Sequence, residues 1–304
     1  MTSWIRRPAG LHPCSYLFIL ILAFGTGCAS RVAPGPVGAT SAPSPRAAAS
    51  GWIEGPQGRL YVDDGGKGGL PVLFVHGLGG DHDVWAEQLE HLRASRRAVA
   101  MDLRGHGLSD PPRNGDYALS EMAQDVLAVA RSLGLNRFVL VGHSLGGSVV
   151  IAAAAQAPAQ VAGLLLADPN GDWTAVPRQQ VESFREQFEG DTYTRNVTRW
   201  LEAILAKARP GVRAQVMKTF LKTPQEAVTK CLGALATYSP TKDLETYAGP
   251  KLDVITDENN TAQSLQNMTS GLRTVTIPGV SHWLMMDDPS GFDAALDEFL
   301  ASIH

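Results

Sequence analysis

The chain has 304 residues, 44% of them apolar, and a net charge of -4, which suits a packed globular protein and supplies no broad positive field for nucleic acid or an anionic membrane surface. Cys14 lies in an N-terminal apolar run, Cys28 ends it and Cys231 is left without a partner, so a disulfide framework is excluded. No Cys/His spacing reads as a metal site, and with no Walker loop or dinucleotide fingerprint, no cofactor is expected.

The chain opens with Arg6 and Arg7, continues through an apolar stretch at 16–24, and reaches the small residues Gly25, Thr26 and Gly27 before Cys28. Positive, apolar and small segments in that order are those of a secretory signal, and the run is shorter than the roughly 20 residues that a spanning helix needs. Small residues followed by cysteine resemble a bacterial lipoprotein signal, with 1–27 removed and Cys28 lipidated, although Gly25 stands where such signals usually carry leucine. Ordinary signal cleavage with an incidental Cys28 is the alternative. Either reading implies export, to the periplasm or the cell surface, and the lipid reading implies a membrane anchor. Residues 28–50, with Pro34, Pro36, Pro43 and Pro45, read as a tether without core-forming residues.

A leading antiparallel hairpin is expected at 52–63. Short apolar runs bounded by Gly, Pro or Asp follow at 71–75, 98–101, 138–141, 163–167, 251–256 and 273–277, and they read as strands buried on both faces. Helical patterns between them predict an α/β fold with a mostly parallel sheet, its core at 51–170 and 247–304. From 171 to 246 the strand signal gives way to helical stripes such as Val197, Trp200, Leu201, Ile204 and Leu205, which predict an all-helical cap. Within it, Thr223, Pro224 and Glu226 predict an N-cap, a first-turn proline and a capping box. The apolar cap residues are expected mainly in its core, with Phe184, Trp200 and Phe220 as candidates for a pocket wall, and Met285 and Met286 are read with the same caution.

The segment Gly142-His143-Ser144-Leu145-Gly146 joins a strand to a helix expected from Ser148. A turn that sharp leaves no room for side chains at its flanks, and the helix N-terminus directs free N–H groups at the serine, which suits an oxyanion.

With His76-Gly77-Leu78-Gly79-Gly80, Trp85, the turn at 102–109 and the late segment Pro278-Gly279-Val280-Ser281-His282-Trp283, this elbow resembles the α/β-hydrolase family from Trp52 onward. The resemblance implies a serine hydrolase with Ser144 as nucleophile, His282 as general base, and an oxyanion hole formed by the backbone N–H groups of Leu78 and Leu145. Of the 8 histidines, His76, His106 and His143 are expected to be structural, while His82, His91 and His304 read as surface residues.

The usual acid position of the family holds Asn259, which could orient an imidazole but not stabilise its cation. Asp168, at the end of the preceding strand, is the favoured acid, Asp257 the alternative, and a site supported by asparagine remains open. The expected reaction is hydrolysis of small or apolar carboxylic esters through an acyl-enzyme. Lactone, thioester or carbon–carbon bond hydrolysis, and a non-catalytic envelope binding protein, are the competing readings.

Overall fold

The computed structural model describes residues 49–303. The expected signal, Cys28 and the tether as far as residue 48 lie outside them, as does His304. Strand β1 (Ala49–Glu54) begins two residues inside the expected tether and pairs antiparallel with β2 (Arg59–Gly65). After β3 (Val72–Val75), helix α1 (Ala86–Arg93) leads to β4 (Ala98–Met101), and α2 (Leu119–Ser132) leads to β5 (Phe138–His143). Helix α3 (Leu145–Gln156) then returns the chain to β6 (Val161–Ala167).

Four helices follow, α4 (Arg178–Glu186), α5 (Tyr193–Ile204), α6 (Pro210–Phe220) and α7 (Gln225–Leu235), before α8 (Pro240–Thr246) packs on α3. Strand β7 (Lys251–Ile255), the short α9 (Leu265–Met268), β8 (Arg273–Thr276), the short α10 (Leu284–Asp287) and α11 (Pro289–Ala301) complete the chain. No helix among the described residues is long and apolar enough to cross a membrane.

The eight strands form one sheet in the order β1-β2-β4-β3-β5-β6-β7-β8, antiparallel at the first two pairings and parallel thereafter. Every residue of β3, β4, β5 and β6 is buried, which explains why these strands read as unbroken apolar runs. Helices α1 and α11 pack together and cover one part of the sheet, and α2, α3 and α8 form the second helical layer. Helix α3, buried from Leu145 through Ala154, has no polar face, as befits a helix enclosed between the sheet and other helices.

Two local expectations change. Helix α3 begins directly after Ser144, three residues earlier than its apolar pattern suggested, because Leu145, Gly146 and Gly147 are already helical. The capping box is absent: α7 starts after Pro224 with no side-chain cap, Thr223 Oγ1 instead donates to the Thr219 carbonyl at the end of α6, and Glu226 pairs with Lys230. The proline holds the turn, and the threonine closes the helix before it.

Arg104, in the turn after β4, is fully buried and makes a two-pronged ion pair with Asp125 at 2.6 and 2.8 Å, with its remaining donors on the Asp116 and Glu121 carbonyls. Replacing it with methionine leaves the Asp125 carboxylate unpaired in the core. Arg104→Met is expected to cost about 3–5 kcal/mol in equilibrium denaturation, and the Arg104→Met/Asp125→Leu double variant should recover most of that loss.

Candidate functional site

Ser144 occupies the corner between β5 and α3 with φ 52° and ψ -118°, a conformation non-glycine residues rarely adopt. The corner is made possible by its neighbours. A Cβ on Gly146 would lie 2.4 Å from the carbonyl oxygens of Val75 and His76, and one on Gly142 would lie 2.4 Å from the Gly146 oxygen. Among the described residues the backbone N–H groups of Leu145 and Leu78 have no backbone acceptor, so both are available to an anion beside Ser144. The Ser144 hydroxyl itself donates to Asn170 Oδ1 at 3.4 Å.

His282 lies in the loop after β8. Its Nδ1–H donates to Asp168 Oδ2 at 2.6 Å, and its backbone carbonyl accepts from His143 Nε2 at 2.9 Å, which fixes where the ring stands. Asp168 follows β6 at φ 45°. Its amide donates to the Val254 carbonyl, and its Oδ1 accepts from the Thr256 amide at 2.9 Å and from Thr256 Oγ1 at 3.1 Å. One carboxylate oxygen is thus held by Thr256, the residue after β7, and the other by the imidazole.

Asp257 stands elsewhere: it is half exposed, and its Oδ2 accepts from the Gly279 amide and lies 3.9 Å from Lys207 Nζ. Asn259, at the expected acid position, is occupied by structural bonds, with Nδ2 donating to the Pro169 carbonyl and Oδ1 accepting from Ser264 Oγ.

His76, His106 and His143 are arranged as neutral supports. His76 Nδ1 donates to the Gly77 carbonyl and Nε2 accepts from the Leu103 amide, while His106 Nδ1 donates to the Arg104 carbonyl. Burial pushes the His106 pKa down to about 4 and lowers those of His76 and His143. His82 departs from the surface reading. It is partly buried with Nδ1 2.9 Å from Asp102 Oδ1, and although burial opposes its cation, the Asp102 carboxylate outweighs that and raises its pKa. His91 is at the surface beside Asp297, as expected. Trp85 is core, packed against Phe74 and Phe292.

Ser144, Asp168 and His282 line one cavity of about 360 Å³ that Leu78 and Asn170 also border. Phe184 and Trp200 form part of its wall, whereas Phe220 is packed against Gly79 behind it, and Met285 and Met286 lie in the core outside it. Asn170 and Thr256 carry no signal in the sequence. Each acquires its place only through a contact with a residue distant along the chain, Ser144 and Asp168 respectively.

The sheet order, the strained serine corner and the imidazole–carboxylate pair define a hydrolase-type scaffold. The chain belongs to the α/β-hydrolase fold family, whose model matches residues 71–289. The acetyltransferase component of the acetoin cleaving system of Pseudomonas putida is 38% identical over 159 residues, 51% of this chain and 41% of that protein, so the chain spans less than half the length of that relative. An sn-1-specific diacylglycerol lipase from Mus musculus is 25% identical over 261 residues, covering 78% of this chain and 83% of the lipase. Among solved structures, a thermophilic esterase from Thermogutta terrifontis superposes with a TM-score of 0.70 at 26% identity, covering 84% of this chain and all of the esterase.

Beside the site, Asp253 on β7 is fully buried, and among the described residues neither of its carboxyl oxygens has a hydrogen-bond partner. Burial, reinforced by the nearby Asp168 carboxylate, raises its pKa well above the usual value. The unfolded chain releases this proton near pH 4, at about the ordinary aspartate value, while the folded chain keeps it. Stability from this group is therefore full below that pH and declines as pH rises toward the folded pKa. Asp253→Val should flatten the decline, read as melting temperature between pH 4 and 8. A parallel curve for both proteins would contradict a protonated Asp253.

Proposed function

We propose that the protein is a serine hydrolase that cleaves carboxylic esters through an acyl-enzyme. One observation carries this reading: the strained Ser144 faces the same cavity as an imidazole whose far nitrogen is held by a buried carboxylate at 2.6 Å. In this scheme Ser144 Oγ turns from Asn170 toward His282 and attacks the ester carbonyl, and its proton passes to His282 Nε2. The carbonyl oxygen becomes an oxyanion between the N–H groups of Leu78 and Leu145. The C–O bond to the alcohol then breaks, and the imidazolium returns the proton to the leaving alkoxide. Water repeats the sequence on the acyl-enzyme, releasing the acid and restoring the serine.

The Asp168 carboxylate supports the imidazolium that forms in both halves. That favours catalysis over the alternative of a binding protein on a hydrolase scaffold, which gained its plausibility from Asn259. A serine nucleophile also separates this chemistry from that of relatives that open halides or epoxides with an aspartate. The two well-aimed N–H donors are worth about 3 kcal/mol each in the transition state.

With the whole chain and a short-chain chromogenic ester, Ser144→Ala is expected to lose at least about a thousandfold in kcat, and Asp168→Asn roughly ten-thousandfold. Asp257→Asn should fall within about threefold of wild type, as a surface change does. Equal turnover by wild type and Ser144→Ala would sink the assignment, and a loss confined to Asp257→Asn would move the acid to that residue.

The same reading includes export and anchoring at Cys28, supported by Arg6, Arg7, the apolar stretch and the small residues before the cysteine. In cells fed radiolabelled palmitate, the wild-type chain should carry label and fractionate with membranes. Cys28→Ala should lose both properties.

A further inference from the structure

The cavity has two chemically different walls. Val176, Phe184, Trp200, Leu232 and Leu235, from the insertion between β6 and β7, make an apolar side, at whose edge the insertion also places Lys207, ion-paired with Glu258 of the loop after β7. The other side comes from the loop after β6 and the loop after β7, and contributes Asn170 and Gln263. These two carboxamides have spare hydrogen-bonding capacity. Asn170 accepts from Ser144 through Oδ1 while, among the described residues, its Nδ2 has no acceptor and the Gln263 side chain no partner.

The polar loops are held together. The Asp172 amide donates to the Gln263 carbonyl at 3.0 Å, and a Cβ on Gly171 would lie 2.2 Å from that same oxygen, so the two chains touch backbone to backbone. Asp172 in turn binds Thr174, Ser239 and Thr241 through its carboxylate, and Asn259 ties Pro169 to Ser264. Asn170 therefore sits on a loop fixed at both ends, and its amide is presented rather than mobile.

Position assigns what that amide meets. In the sheet, β3 and β6 flank β5 on opposite sides, so Leu78 after β3 and Asn170 after β6 approach Ser144 from opposite directions. The carbonyl oxygen belongs on the Leu78 side, and the leaving alcohol belongs beside His282, whose partner Asp168 is two residues from Asn170. We infer that Asn170, with Gln263 behind it, binds the alcohol part of the substrate, and that the preferred substrates join an apolar acyl chain to an alcohol carrying a hydrogen-bonding group of its own. This inference rests on the reading of Ser144 as the nucleophile. Asn170 is then a specificity residue that releases the serine hydroxyl as substrate enters and turns its amide to the alcohol.

The test uses two hexanoate esters of equal size, propyl hexanoate and 2-hydroxyethyl hexanoate, with released acid measured by titration on the whole chain. Wild type should favour the hydroxyethyl ester by about tenfold in kcat/KM, the effect of one good hydrogen bond. Asn170→Leu should bring that ratio to about one, whatever happens to the absolute rates, and Gln263→Leu should lower it by about threefold. A merely structural role would depress both esters alike and leave the ratio intact. A wild-type ratio near one, or an unchanged ratio in both variants, overturns the inference. Should Asn170→Leu not fold, the Gln263→Leu ratio decides it alone. Turnover that survives Ser144→Ala would instead overturn the reading of Ser144, a failure visible independently of the ratio.

Discussion

The contact between His282 and Asp168 is the constraint around which the rest of the site is arranged. A carboxylate on β6 can reach an imidazole that follows β8 only if β7, lying between them, is shaped to let it pass. The structure meets that requirement by pulling the Asp168 backbone onto β7 through the Val254 carbonyl and holding Oδ1 with Thr256. Asp168 adopts a left-handed backbone, a conformation that aspartate tolerates better than most residues and that turns the chain across the end of the sheet. Position and charge are thus set by two strands at once, and the imidazole receives the one carboxylate oxygen left over.

Moving the carboxylate to β6 frees the loop after β7 for other work. Asn259, relieved of any part in supporting the histidine, uses its amide to join Pro169 to Ser264. Asp257 holds the Gly279 amide in the loop that precedes His282, and together with Glu258 it faces Lys207. The departure at residue 259 is therefore a rearrangement in which polar groups exchange tasks. Both polar groups of the Asn259 side chain and the Asp257 carboxylate keep partners in this arrangement, which limits what the change costs. Among the described residues the buried Asp253 carboxyl has no such partner, and burial, with Asp168 nearby, raises its pKa so that the neutral form is favoured there.

Much of this was legible in the sequence because it is local. The apolar runs of β3 to β6, the glycines around Ser144 and the proline–glycine turn before His282 each depend on residues within a few positions, and the structure places them in the expected order. Asp168 could be favoured because it ended a strand where some members of the family carry their acid, but nothing local shows that Thr256 would hold it. Thr223 failed as a cap for the opposite reason: the local pattern was complete, but its hydroxyl donates to the Thr219 carbonyl near the end of α6 and accepts nothing from the first turn of α7. His82 read as exposed because its partner, Asp102, is 20 residues away. Asn170 and Gln263 were invisible, since their significance comes from a backbone contact between loops separated by more than 90 positions.

The division of the cavity into two walls has a structural cause. The apolar wall belongs to an insertion that must bury its own helices, so its aromatic residues serve as core and lining together: Phe184, Phe188, Trp200 and Phe220 form one chain of edge-to-face contacts. Moving one of them disturbs the packing of the insertion along with the shape of the pocket. The polar wall carries no such burden, because its loops are anchored through backbone groups and through Asp172 and Asn259, which leaves the side chains of Asn170 and Gln263 without a structural duty. Change in the apolar wall is therefore coupled to stability, while change in the polar wall is nearly free of it. On that physical ground the residues after β6 and β7, more than those of the helical insertion, are where this scaffold can change the lining of its cavity without endangering its fold.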